Sequence, residues 1–344
     1  MFEQIDLFSE ATDGYHTYRI PAMVTTPAGT VLAFCEGRVH GRGDAGEIHI
    51  LLKRSCDHGR TWGPAQVVVA ESGMTCGNPS PVIDRTTGRI WLLLCKNDGD
   101  KGETVICRGQ AERTVWITSS MDDGETWTEP REITSDVKKS NWTWYATGPG
   151  HGVQLTGGRL VVPCDHIVGR DFDRHTDPYH SHVIVSDDAG ASWRIGGIVD
   201  AGTNECMVVE LEDGTLYLNA RDYSGAKRRA VARSTDAGNG FGALSWDEAL
   251  IEPICQASIV RYPSGPVLFA NPASTRRERL TVRASFDSCR TWSSGLVLHE
   301  GPAGYSDLTV AADGTVLCMY ERGTEDPYER LTLARLELQD FVGA

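Results

Sequence analysis

The sequence predicts an all-β fold: a six-bladed propeller of four-stranded antiparallel blades, closed by its N-terminal strand. Three observations carry that prediction. Short runs of Val, Ile, Leu, Thr and aromatic residues dominate the 344 residues, and no long 3.6-residue periodicity stands out. A glycine turn followed at once by an apolar run recurs six times. A second motif, S-x-D-x-G-x-[TS]-W, is interleaved with the first.

The turn glycines are Gly29 (GTVLAFCE), Gly88 (GRIWLLLC), Gly158 (GRLVVPCD), Gly214 (GTLYLNAR), Gly265 (GPVLFANP) and Gly314 (GTVLCMYE), spaced by 59, 70, 56, 51 and 49 residues. Each follows another strand-like run, such as IPAMVTTPA before Gly29. Two strands around a tight glycine turn make a hairpin, because glycine takes the positive φ that such turns need. Hairpins repeating at about fifty residues are the signature of propeller blades. The second motif occurs at Ser55–Trp62, Ser120–Trp127 and Ser186–Trp193. It occurs with Cys289 in the glycine position at Ser285–Trp292, and in weaker form at Ser234–Phe241. Short Asp and Ser side chains bond their own backbone in turns, so these boxes read as structural corners. They lack the further acidic ligands of a calcium loop.

Each blade therefore reads strand A, glycine turn, strand B, long loop, strand C, box turn, strand D. The sixth has only Leu331 to Leu338 after its hairpin, and Gln4 to Phe8 is expected to supply its missing outer strand. One domain spanning 1–344 accounts for the whole length.

Composition limits the function classes. With 33 basic and 47 acidic side chains the net charge is −14, which opposes attraction to nucleic acid or anionic lipid. No apolar stretch reaches membrane-spanning length, so membrane insertion is not expected. The ten cysteines include no CxxC pair, and Cys35, Cys95, Cys164 and Cys318 sit in apolar runs. Buried reduced thiols are expected rather than a zinc site or a disulfide scaffold. The N-terminus has no basic or hydrophobic leader pattern, which with the reduced thiols gives a cytoplasmic expectation.

Counting from the turn glycines locates a candidate site. Arg19, Glu205, Gln256 and Tyr305 open A strands, while Glu36, Asp165, Arg221, Pro272 and Glu321 close B strands. Both positions fall at the end of the propeller away from the boxes. Arg19, Glu205, Arg221, Tyr305 and Glu321 should thus converge over one channel mouth. The B–C loops add Asp44, Arg277 and the His- and Asp-rich stretch Asp165 to His182. Charged residues of both signs in innermost strands point to a site, because the channel wall is partly desolvated. His166, His175, His180 and His182 with Asp171, Asp173 and Asp177 match no metal-ligand spacing, so no metal and no cofactor is expected.

Tyr18-Arg19-Ile20-Pro21, the repeated boxes, Asn204-Glu205-Cys206, Asn219-Ala220-Arg221 and Tyr305-Ser306-Asp307-Leu308 together resemble the bacterial and animal sialidases. The resemblance covers essentially the whole chain. It implies an exo-glycosidase that releases terminal α-linked sialic acid from glycoconjugates with retention. It also implies Arg19, Arg221 and Arg277 as the triad for the substrate carboxylate, Tyr305 as nucleophile, Glu205 as its partner and Asp44 as acid/base. Glu321 would steady Arg19, while Arg38 and Asn78 would contact ring substituents. Arg276 and Arg279 remain alternatives for the third arginine. The chemistry is coherent, because a neutral tyrosine avoids the repulsion a carboxylate nucleophile would meet from the substrate carboxylate. Three guanidiniums give bidentate, charge-assisted binding of that carboxylate.

Two other outcomes stay open on sequence. A propeller that only binds glycans or proteins would lack Tyr305, Glu205 or Asp44, and all three are present. The same residues also serve transfer to another sugar or closure to an anhydro product.

Overall fold

The computed structural model describes residues 2–169, 179–263 and 265–341. Its strands form antiparallel groups that follow one another along the chain. The first comprises Thr17–Thr25, Val31–Arg38, Ile48–Ser55 and Gln66–Val69, and the second Met74–Asp84, Arg89–Asp98, Thr114–Ser120 and Arg131–Glu132. The third comprises Trp142–Thr147 with Val153–Gln154, then Leu160–Val168, Tyr179–Ser186 and Arg194–Ile198. The fourth is Thr203–Glu210, Leu216–Asp222, Arg228–Ser234 and Ser245–Ile251. The fifth begins with Ser258–Arg261, Val267–Pro272 and Glu278–Ser285. The sixth contains Val316–Arg322, Arg330–Leu336 and, on its outer edge, Glu3–Ser9. That N-terminal strand runs antiparallel to the last one, Glu3 opposite Arg335 and Ser9 opposite Arg330.

Inner and outer strands differ as their sequences require. Val31–Arg38 is buried along its entire length, which suits its apolar run over residues 31–35. Glu3–Ser9 and Ser245–Ile251 are largely solvent-facing. The apolar clusters lie between groups rather than within them. Phe34 and Leu52 meet Leu92 and Leu94, Leu93 and Val115 meet Leu160 and Val162, and Val183 and Val185 meet Val208 and Leu216. Met207 and Tyr217 meet Phe269, Leu268 and Val282 meet Leu308 and Cys318, and Leu317 and Leu331 meet Met23 and Ala33. The last of these returns the packing from the final group to the first.

The sheets are less separate than the sequence suggests. Leu296–Val310 is one 15-residue strand whose first half pairs with Glu278–Ser285 and whose second half pairs with Val316–Arg322. It is therefore outermost in the fifth group and innermost in the sixth. A single parallel bridge, Ile48 to Thr75, joins the first two groups. Two short helices, Glu103–Cys107 and Thr134–Val137, interrupt the strands of the second group and its exit. The ten cysteines are free, and all but Cys56 are buried.

The boxes are corners, as expected. In the second, the Ser120 hydroxyl donates to Asp122 at 2.8 Å and accepts the Gly124 N–H at 2.9 Å, while Asp122 accepts the Thr126 N–H at 2.9 Å. Two consecutive left-handed residues build each corner. Their φ values are 61° and 80° at His58-Gly59, 58° and 79° at Asp123-Gly124, and 63° and 60° at Ser288-Cys289. The cysteine thus holds the glycine conformation. The Trp127 indole N–H donates to the Gly124 carbonyl at 3.3 Å, whereas that of Trp292 turns to Asp247 at 2.8 Å.

Along the axis, buried Asp307 accepts the Met23 N–H at 2.7 Å and the Ser258 hydroxyl at 2.8 Å, and holds His151 Nδ1 at 2.9 Å. His151 also lines a cavity of about 700 Å³ at the glycine-turn end, among Val24, Val209, Val260 and Thr309. The cavity lined by the sequence-predicted site residues is a smaller one, at the opposite end.

Candidate active site

A repeated backbone device aims the site residues. Register breaks occur in the innermost strands between Arg19 and Ala22, Gly77 and Ser80, Thr203 and Cys206, and Ala303 and Ser306. Each is a bulge that turns the strand end toward the axis. Ile20 and Asn78 take φ values of 58° and 57° there, unusual for non-glycine residues and costly for a β-branched one. Two buried glutamates at the ends of second strands hold three of these bulges. Glu36 accepts the Asn78 N–H at 2.8 Å, and Glu321 accepts those of Ile20 at 3.1 Å and Tyr305 at 2.9 Å. Glycine is needed beside both. A Cβ on Gly77 would lie 2.6 Å from Glu36 Oε1, and one on Gly304 would lie 2.3 Å from Glu321 Oε2.

The bulges and loops bring eight of the nine sequence-predicted site residues into the lining of one cavity of about 220 Å³: Arg19, Arg38, Asp44, Asn78, Glu205, Arg221, Arg277 and Tyr305. Glu321 lies just beneath, fully buried, and accepts from Arg19 Nε at 3.0 Å and Nη2 at 3.2 Å. Burial works against the Arg19 charge, but Glu321, Tyr328 and Asp44 outweigh it and hold the guanidinium well above its ordinary pKa.

The Tyr305 hydroxyl donates to Glu205 in a short hydrogen bond and accepts from Arg221 Nη1 at 3.1 Å. Arg221 pairs in turn with Glu205 at 2.8 Å. The Arg19 and Arg277 guanidinium carbons lie 5.0 and 5.4 Å from the Tyr305 ring centroid. Burial and then Glu205 push the Tyr305 hydroxyl well above its ordinary 10, with Arg221 and Arg277 opposing. The resting group is therefore a neutral phenol in contact with an acceptor carboxylate.

Arg277 is the member of its neighbourhood that reaches the cavity. It donates to the Tyr328 hydroxyl at 2.7 Å and to the Ile254 carbonyl at 3.3 Å, and no carboxylate pairs with it among the described residues. Arg276 points to solvent with a 79% exposed side chain and pairs with Glu278; Arg279 pairs with Glu300.

Asp44 sits at the mouth with its side chain 69% exposed, 2.8 Å from Arg38 and 3.3 Å from Arg19. Desolvation by the cavity wall raises its carboxyl, and Arg38, Arg19 and Arg277 together outweigh that, leaving it below its ordinary 3.8. Arg38 also bonds Glu36 at 2.7 Å and the Arg42 carbonyl at 2.6 Å, so it anchors the loop that carries Asp44.

Gln256 and Pro272, which occupy equivalent strand ends, do not line the cavity. Gln256 instead donates to the Ser306 and Pro149 carbonyls at 2.9 and 3.2 Å and pins strands together. Of the His- and Asp-rich stretch, Asp171, Asp173, His175 and Asp177 lie outside the described residues. His166 stacks on Trp142 with centroids 3.5 Å apart and places Nδ1 3.0 Å from that of His182. Burial pulls both imidazoles toward the neutral form, His182 down to about 3. Among the described residues no group of three or more His, Cys, Asp or Glu could hold a metal.

Glu103, Arg113, Trp144, Asn204, Tyr223 and Tyr328 also line the cavity and were not singled out by the sequence. Asn204 and Tyr223 adjoin the predicted Glu205 and Arg221. Arg113 and Glu103 come from a third-strand start and a short helix, for which the glycine count gives no signal.

A BNR repeat-like domain matches residues 29–318. An exo-alpha-sialidase of Aspergillus fumigatus is 34% identical over 90% of this chain and 79% of its own length. The chain belongs to the sialidase family. A sialidase of Micromonospora viridifaciens is 36% identical over 98% of this chain, which spans about half (54%) of that longer relative. Human sialidase-3 is 31% identical over 94% of this chain and 90% of its own. Among solved structures, a Hadza microbial sialidase matches with a TM-score of 0.88 at 29% identity, covering 98% of this chain and 69% of that one. A leech intramolecular trans-sialidase shares the fold, with a TM-score of 0.84 at 16% identity over the entire chain and 71% of its own. Sialidase relatives thus match this chain over most of its sequence and share its all-β architecture.

Proposed function

We propose that the chain is a single six-bladed propeller domain, its six strand groups being the blades, and that it hydrolyses terminal α-linked sialic acids from glycoconjugates with retention. The observation that carries this reading is the contact of the Tyr305 hydroxyl with Glu205, inside a ring of three arginines of which Arg277 has no carboxylate partner among the described residues.

In this reading Arg19, Arg221 and Arg277 bind the substrate carboxylate, which supplies the counter-charge that Arg277 lacks. Tyr305 oxygen attacks the anomeric carbon as its proton passes to Glu205, and Asp44 protonates the departing glycosidic oxygen. In the second half Asp44 takes a proton from water, the water oxygen attacks the same carbon, and Tyr305 leaves and recovers its proton from Glu205. The substrate carboxylate competes with Asp44 for Arg19. Occupation therefore loosens Asp44 and favours its protonated form, the form needed to act as an acid.

The test is the product first formed from an α-linked sialyllactose, followed by proton NMR. The reading requires the α-anomer of the free sugar to appear before mutarotation. A β-anomer first, or no release, would refute it.

A further inference from the structure

The triad and nucleophile occupy one side of the cavity. The opposite side, built from the second and third strand groups with Asn204 of the fourth, has been given no task beyond the ring contact expected of Asn78. Its most unusual member is Asp165, which is 1% exposed. Oδ1 accepts from the Trp144 indole N–H at 3.0 Å and from Asn204 Nδ2 at 3.2 Å. Oδ2 is buried and has no partner, although the residue lines the cavity. A buried carboxyl oxygen left without a partner is costly unless a ligand or water meets it. Burial, reinforced by the Glu205 and Glu103 carboxylates, pushes Asp165 well above its ordinary 3.8 and toward the uncharged acid. Protonated, its unpartnered oxygen becomes a donor at the edge of the cavity that Asp165 lines.

Arg113 stands beside it, 3% exposed and without a carboxylate in ion-pair range among the described residues. It donates to the Asn78 side-chain oxygen at 2.6 Å and to the Tyr145 carbonyl at 2.7 Å. Its guanidinium carbon lies 4.5 Å over the Trp144 ring and covers the indole that could otherwise greet an apolar group. The wall therefore presents donors and acceptors, with little apolar surface for a methyl.

We propose, on the sialidase reading above, that Asp165, Arg113 and Asn78 form a specificity wall that selects a hydroxyl over an acetamido group on the sugar-ring edge facing away from the carboxylate. A hydroxyl both accepts from Asp165 and donates within the wall. An acetamido methyl would displace water from buried polar groups and return no hydrogen bond, the situation in which discrimination is strongest.

The experiment compares kcat/KM for the 4-methylumbelliferyl α-glycosides of N-acetylneuraminic acid and its deaminated, 5-hydroxy analogue. Calorimetric binding of the two free acids is measured alongside. The parent is expected to favour the hydroxy substrate by about tenfold or more. Asp165→Leu should bring that ratio below about threefold, whereas Asp165→Asn, which keeps a neutral donor, should preserve it. A parent ratio under ten, or an undiminished ratio in a folded Leu variant, overturns the proposal. If Leu does not fold, the parent ratio and the Asn variant decide, because an Asn variant without preference shows that a neutral donor is not what selects. If neither glycoside is cleaved the hydrolytic reading fails, and the binding ratio of the two acids still judges the wall.

Discussion

Glu321 accepts the backbone N–H of Ile20, and the same carboxylate pairs with the Arg19 guanidinium one residue earlier. One buried acid thus fixes both a strained bulge and the side chain it aims. Glu321→Gln keeps an acceptor but strands a buried cation, which typically costs about 3 kcal/mol. Equilibrium urea unfolding should show that loss, and the surviving folded fraction should have a raised KM. A stability within about 0.5 kcal/mol of the parent would show that Glu321 is not the counter-charge.

Arg277 rather than its neighbours faces Tyr305, so the three arginines should separate cleanly. Arg277→Lys loses the planar fork and should weaken binding of a dehydrated sialic acid analogue by about tenfold or more. Arg276→Ala and Arg279→Ala should each stay within about twofold, since exposed ion pairs contribute little. Titration calorimetry reads all three. A larger effect at either neighbour would reassign the third guanidinium.

Arg38 and Arg19 hold the Asp44 carboxyl down, so removing one of them has a defined sign. In Arg38→Met the Asp44 pKa rises, and the alkaline limb of kcat/KM for an unactivated sialoside should move to higher pH. An aryl glycoside with a good leaving group needs little protonation and should show a smaller displacement. A limb that stays put or moves to lower pH contradicts the placement of Asp44 as the acid.

The box carboxylates set an acid dependence of stability. Asp122 and Asp287 are lowered to about 2 by hydrogen bonds, first from Thr126 and Thr291. A carboxyl held below its unfolded value adds stability above that value, near pH 4, and loses it as pH falls through the folded one. The parent should therefore lose stability between about pH 4 and pH 2, and Asp122→Asn should show a shallower decline, because one such group is gone. Both groups are largely exposed, so the difference will be small. Parallel curves for the two proteins would sink the assignment.

The architecture was legible because each hairpin carries its own turn glycine and each corner its own Ser and Asp, signals local to a few residues. Arg19, Tyr305 and Glu205 followed from counting, since they sit at repeated strand positions. Three features were not legible. The left-handed φ of Ile20 depends on Glu321, 301 residues away. The fusion of two groups through the single strand Leu296–Val310 joins pairing partners on both sides of it, which no local repeat announces. Arg113 and Asp165, whose pKa burial raises, acquire their character only from packing between neighbouring groups, which no local pattern encodes.

The central claim is that the Tyr305 oxygen forms the bond to the sugar. A mechanism-based fluorosialyl fluoride, followed by intact mass measurement and peptide mapping, tests it most directly. The account predicts one added fluorosialyl group located on Tyr305, and none in Tyr305→Phe, whose turnover of an unactivated sialoside should fall by roughly a thousandfold with the fold intact. A label on any other residue, or a Phe variant that is labelled or fully active, would contradict it.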